Sequence, residues 1–89
     1  MANRKTVDVE LFGETFQAFA DGGLDMRIFD AAEEHGYKSA QAVKAICLAF
    51  YGEDGYQRIC DISKERRGFV SLEDIAAAAD AAFGVTSKN

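Results

Sequence analysis

Few residues in this 89-residue chain have chemical capacity: one histidine, two cysteines, and a stretch in which serine, acidic and basic side chains surround a glycine. His35 would need a nucleophile or a second imidazole to act as a base or a ligand, and the pattern supplies neither. Its place before Gly36 suits a helix C-terminus, where the dipole favours an imidazolium. Cys47 and Cys60 fall on apolar faces of expected helices, where a free thiol behaves as a small hydrophobe, so burial is expected rather than a disulfide or metal site. The segment Ser63 to Asp74, SKERRGFVSLED, has the length and central glycine of a calcium loop. Ser63, Glu65 and Arg67 would hold its first, third and fifth positions. Arg67 is a donor and cannot ligate a cation, and Asp74 at the closing position is shorter than the bidentate glutamate such a loop prefers. Two helix ends and a cap account for the same residues. Gly22-Gly23 and Gly52/Gly55 spell no phosphate-binding loop. No catalytic residue, cofactor or metal is expected.

The net charge is −5, from ten Lys/Arg and fifteen Asp/Glu. Residues 1–38 carry four basic and eight acidic side chains, so the acidity is concentrated in the first half. A nucleic-acid binder needs a basic footprint to neutralise phosphates, which this balance excludes. The one basic cluster, Lys64, Arg66 and Arg67, reads as a helix C-terminus complementing its dipole. No apolar run approaches the ~20 residues of a membrane span, and the start MANRKT lacks an export signal's apolar core. Two cysteines without such a signal fit a reducing, intracellular setting. Much of the 48% hydrophobic content is alanine, which favours helices but buries little area.

The expected fold is mainly α: an N-terminal β-hairpin followed by a compact bundle of about four short helices, one domain over 1–85. Val7, Val9 and Leu11 alternate with Asp8 and Glu10, the period of a half-buried strand. Gly13 permits a tight turn into a returning strand, giving a hairpin over about 6–19. Residues 1–5 are expected to fray. A helix follows over about 25–35, capped by Asp25, with Ile28, Phe29 and Ala32 as its apolar stripe and Gly36 as a left-handed end. Ser39 caps a central helix over 40–51, apolar on most sides. Gly52 stops it, and Glu53-Asp54 start a third helix over 54–67. Gly68 ends that helix, with Phe69 placed for the hydrophobic contact of a helix cap. Ser71 and Asp74 suggest a reciprocal capping box before the last helix, 72–83, which closes on Gly84. Residues 86–89 read as a disordered tail.

Ten aromatic side chains are mostly at core spacing. Tyr51 and Tyr56 bracket the Gly52-Glu53-Asp54-Gly55 corner. They are the candidate partner-binding residues, because tyrosine joins apolar area to a polar tip, with local packing of the corner as the plainer reading.

These residues carry a resemblance. The VELFGETF hairpin, an acidic helix, an apolar helix ending LAFYGEDGYQRI and the closing GFVSLEDIAAAADAAFG follow the order and punctuation of a short tail assembly chaperone of long-tailed (siphovirus-type) bacteriophages. The resemblance covers about Val7 to Gly84, with Ala20-Asp21-Gly22-Gly23 in place of the family's proline-containing connection. It implies a non-enzymatic protein of the infected host's cytoplasm, absent from the mature virion. Its implied partners are the tape measure protein and the tail tube protein, with self-association allowed and no nucleic acid or membrane. It also implies a longer frameshifted product extending from the tail. The alternatives are a small acidic phage-encoded inhibitor or adaptor that binds a host protein, and a small virion structural component.

Overall fold

The computed structural model describes residues 3–87. Strand β1 (Thr6–Leu11) pairs antiparallel with β2 (Glu14–Phe19), and a short 3-10 turn (Gly22–Leu24) leads into helix α1 (Met26–His35). Helix α2 (Ala40–Arg67) and helix α3 (Leu72–Thr86) complete the order. The result is a hairpin followed by three α-helices rather than about four.

The hairpin register runs from Thr6 opposite Phe19 to Leu11 opposite Glu14, leaving Phe12-Gly13 as a two-residue loop. Both loop residues have positive φ, 54° and 78°, as a turn matched to the strands' twist requires. Glycine adopts this freely, whereas Phe12 does so with its half-buried ring 4.8 Å from the Arg66 guanidinium. Alternation then sorts the faces. Val9, Leu11, Phe16 and Ala18 are buried, while Thr6, Asp8, Glu10, Thr15 and Gln17 face outward. The expected fraying at 1–5 does not extend to the described Arg4 and Lys5. Arg4 lies 3.8 Å from the Phe19 ring centre and pairs with Asp21 at 2.6 Å, and the Lys5 carbonyl accepts from the Ala20 N–H. Met1 and Ala2 lie outside the described residues.

Asp25 caps α1 by accepting from the Arg27 N–H. The α1 stripe differs from the expected one: Ile28 and Ala32 are buried, but Phe29 is 47% exposed. Gly36 ends the helix with φ 97° and ψ 153°, an extended departure rather than a left-handed cap. Ser39 caps α2 through the Ala42 N–H, and the chain then runs to Arg67 with one interruption. Gly52 has φ 75° and ψ 176°, a backbone region open essentially to glycine alone. Gly52 therefore breaks the helix as expected but inserts no loop, and helical turns resume at once. This is why two expected helices form one bent element.

The core lies between the inner hairpin face, the middle of α2 and α3. Val9, Phe50, Cys47 and Ile59 are its largest fully buried apolar side chains, with Ile75, Ala78, Ala79 and Ala82 facing them from α3. Gly22 makes the closest backbone approach, since a Cβ there would lie 2.5 Å from Phe50 Cδ1. The last helix does not close on Gly84. It continues to Thr86, whose hydroxyl donates to the Ala82 carbonyl, so residue 86 is helical and not tail. Lys88 and Asn89, expected in the tail, lie outside the described residues.

The Gly52 conformation makes a direct prediction. Gly52→Ala forces a side chain into the glycine-only region and should cost roughly 1–3 kcal/mol. A lowered urea midpoint with an unchanged slope would show it, and an unchanged midpoint would refute the strain.

Candidate functional site

Two places concentrate what this chain presents: the α2–α3 corner and the exposed start of α1. The corner is built on Ser63, Arg66 and Arg67, which share one face of α2 at i, i+3 and i+4 spacing. Gly68 then turns left-handed, φ 82° and ψ 0°, and reverses the chain. This delivers Asp74, in the first turn of α3, back onto that face with 3% exposure. The Ser63 hydroxyl donates to Asp74 Oδ2 at 2.7 Å. Arg67 donates in a fork, Nε to Oδ2 at 2.9 Å and Nη2 to Oδ1 at 3.1 Å, and Arg66 Nη1 adds a contact at 3.3 Å. The Ser71 N–H donates to Ser63 Oγ at 2.8 Å, so the serine both gives and receives.

The expected capping box is therefore not what forms. Ser71 Oγ accepts from the Glu73 N–H at 3.2 Å, while Asp74 points to α2 and not back along its own helix. The stronger attraction wins, because a buried carboxylate gains more from a guanidinium fork and a hydroxyl than from one backbone amide. Phe69, expected beside that helix end, is 59% exposed. The first and last positions of the calcium-loop pattern do meet, but Arg67's guanidinium fills the place of a cation. Among the described residues, no group of three or more His, Cys, Asp or Glu converges.

Burial would raise the Asp74 carboxyl's pKa, but the Ser63 and Arg67 hydrogen bonds, together with the arginine charges, outweigh it and hold the group below its ordinary range. A lowered folded-state pKa adds stability above the unfolded value of about 3.9, and that stability is lost as pH falls through the folded value.

The two candidate tyrosines do not form one site. Tyr51 is buried, donates its hydroxyl to the Ala78 carbonyl at 2.6 Å, and meets Phe16 edge-on at 5.8 Å. Burial drives its phenol pKa well up. It stands in the core, out of a partner's reach. Tyr56 is half-buried, with Lys44 Nζ 5.9 Å from its ring centre. Burial, followed by a hydrogen bond with Cys60, pushes its pKa up to about 12. Cys47 is buried and donates its S–H to the Ile75 carbonyl at 3.3 Å, and burial pushes its thiol up to about 12 as well. Cys60 is half-buried and also free. His35 lies 3.7 Å from Glu34.

What the residue pattern did not reveal is the exposed apolar surface. Leu24 is 79% exposed and Met26 64%, and with Phe29 they form an outward ridge at the start of α1. On the same helix face, Asp30 and Glu33 continue the Met26–Phe29 spacing and have no cationic partner among the described residues. Phe69, Val70 and Leu72 form a second exposed group at the α2–α3 corner. The signal available in sequence was the apolar pair Leu24 and Met26 flanking the cap residue Asp25, outside the stripe that buries Ile28 and Ala32.

Among the described residues no pocket is found, and no helix is long and apolar enough to cross a membrane. Comparison with protein-family models, curated proteins and solved structures found no match.

The corner yields two predictions. Ser63→Ala removes a charge-assisted hydrogen bond and should cost roughly 1.5–3 kcal/mol in a denaturant titration; a loss near zero would show that Asp74 is held by the arginines alone. In an acid titration the wild-type stability should fall as pH drops below about 4. Asp74→Asn should be less stable at neutral pH and lose most of that slope, and an unchanged slope would place the acid sensitivity elsewhere.

Proposed function

We propose that this chain is a non-enzymatic protein-binding module that acts as a tail assembly chaperone, holding a tape measure protein and assisting tail tube assembly. The observation that carries the reading is its display of large apolar side chains. Leu24, Met26 and Phe29 lead α1, and Phe69, Val70 and Leu72 cap the far corner, on a chain small enough that each matters. Exposed apolar groups rimmed by charge mark contact surfaces. The −5 net charge keeps such a surface soluble before its client arrives. The narrower identity, a phage chaperone working in the host cytoplasm and leaving no copy in the virion, is supported by the resemblance in order and punctuation from the hairpin to the Ala-rich last helix.

A second reading, an acidic adaptor on a basic host protein, is favoured by one observation: Asp30 and Glu33 lie on the exposed α1 face without cationic partners among the described residues. A third, a virion component, shares the exposed apolar groups.

Co-expression with the tape measure protein encoded in the same genome separates these readings. The chaperone should keep that protein soluble and co-purify with it, and Met26→Lys with Phe29→Lys should abolish both effects. Failure to bind, with co-purification of a basic host protein instead, would favour the adaptor. Abundant peptides of this chain in purified particles would overturn the chaperone reading.

A further inference from the structure

Phe12 is the one residue other than glycine, among those described, whose backbone φ is positive, at 54°. It stands first in a two-residue hairpin loop, a place that asparagine or glycine fills at little steric cost. A bulky side chain there is strained, and such strain persists only where surrounding contacts over-determine the conformation. Those contacts come from the second arm of α2. The Arg66 guanidinium lies 4.8 Å from the centre of the half-buried Phe12 ring. About two turns earlier on the same arm, Arg58 Nη2 donates to Glu14 Oε2 at 2.6 Å.

Arg66 has a second engagement. Its Nη1 donates to Asp74 Oδ1 at 3.3 Å, so one guanidinium stands between the turn of the hairpin and the first turn of α3. The Arg66 side chain is about half exposed, and Asp74 is its one carboxylate partner among the described residues. Without that carboxylate, a long side chain at the water's edge regains its rotamer freedom and leaves the ring. The opposite end of the hairpin is anchored separately, by Arg4 lying 3.8 Å from the Phe19 ring centre and pairing with Asp21.

We infer that the hairpin turn is a strap and that Arg66 is its catch. Asp74 holds the guanidinium, the guanidinium holds the Phe12 ring, and the seated ring holds the strained turn against α2. Loss of the Asp74 grip opens the hairpin from its turn while the Arg4 end stays closed. The core is then uncovered first at Leu11, the last buried residue of β1.

Amide hydrogen exchange on the whole chain, followed residue by residue by NMR at a single pH, tests this. Asp74 is bonded to Ser63, Arg66 and Arg67 and to no hairpin residue. Asp74→Asn should nonetheless speed exchange of the amides from Glu10 to Thr15 about fivefold or more beyond any change at Val7 and Ala18. Phe12→Leu, which keeps an apolar side chain in the strained position and removes the π face, should do the same. Phe12→Asn suits the turn better, yet it should also speed exchange there. Asp74→Asn combined with Phe12→Leu should add little to either alone, because both open the same catch. Arg66→Met, which loses the contact on each side, takes the place of Asp74→Asn if that variant does not fold. Uniform acceleration along the hairpin, no acceleration at the turn, or additive effects of the paired substitutions overturns the proposal. Slower exchange at the turn in Phe12→Asn overturns it as well, since the ring's seat would then contribute less than the strain it imposes.

Discussion

A carboxylate taken out of water has to be met by donors, and where those donors come from decides how the chain around it is arranged. Asp74 is such a group. Its donors, Ser63, Arg66 and Arg67, all belong to the last two turns of α2, so the start of α3 can sit in one place only. The same serine hydroxyl accepts from the Ser71 amide, and the Gly68 N–H closes α2 by donating to the Lys64 carbonyl. Once that end is pinned, the helical period lays Ile75, Ala78, Ala79 and Ala82 along the first arm of α2 and the hairpin.

Alanine makes this seating close. Small side chains on α3 let α2 come near enough for two of its side chains to reach α3's backbone. Cys47 gives its S–H to the Ile75 carbonyl, and Tyr51 gives its O–H to the Ala78 carbonyl less than one turn further on. These bonds, rather than apolar area, set the rotation of α3 about its axis, since a slide by one residue would lose both. A chain of this length still cannot cover every apolar side chain it carries, and those left exposed among the described residues, Tyr37 apart, lie at the start of α1, at the α2–α3 corner and on Phe83 near the end of α3.

The hairpin, the caps at Asp25, Ser39 and Ser71, and the interruption at Gly52 were legible because each depends on neighbours in sequence: alternation, a side-chain oxygen before a helical run, or a glycine. Helix continuity through Gly52 and Gly84 was not legible. A glycine permits a stop, but tertiary packing decides whether one occurs, and Val85 still has core to pack against. Phe29 was misplaced for a related reason, since periodicity assigns a face without saying whether another element arrives to cover it. The Asp74 cluster was half visible. Ser63 and Asp74 stood out as the ends of a loop pattern and Arg67 as the residue that spoils a cation site, but the pairing of all three needed the chain reversal in space. Tyr51 and Tyr56 looked equivalent in sequence, and the bend between them sends one inward and leaves the other at the rim.

The outer hairpin face gains a different meaning in this setting. Thr6 bonds to Gln17, Gln17 to Asp8, and Thr15 to Glu10, so nearly every outward side chain is already engaged across the strands. A sheet face left uncovered invites stacking when it is apolar. Here its outer face is wholly polar and its side chains largely engage one another, so a sheet stacking on that face finds no apolar area to grip. That face of the hairpin is thereby closed to stacking, and the large apolar side chains left exposed among the described residues lie on the helices and their connections instead.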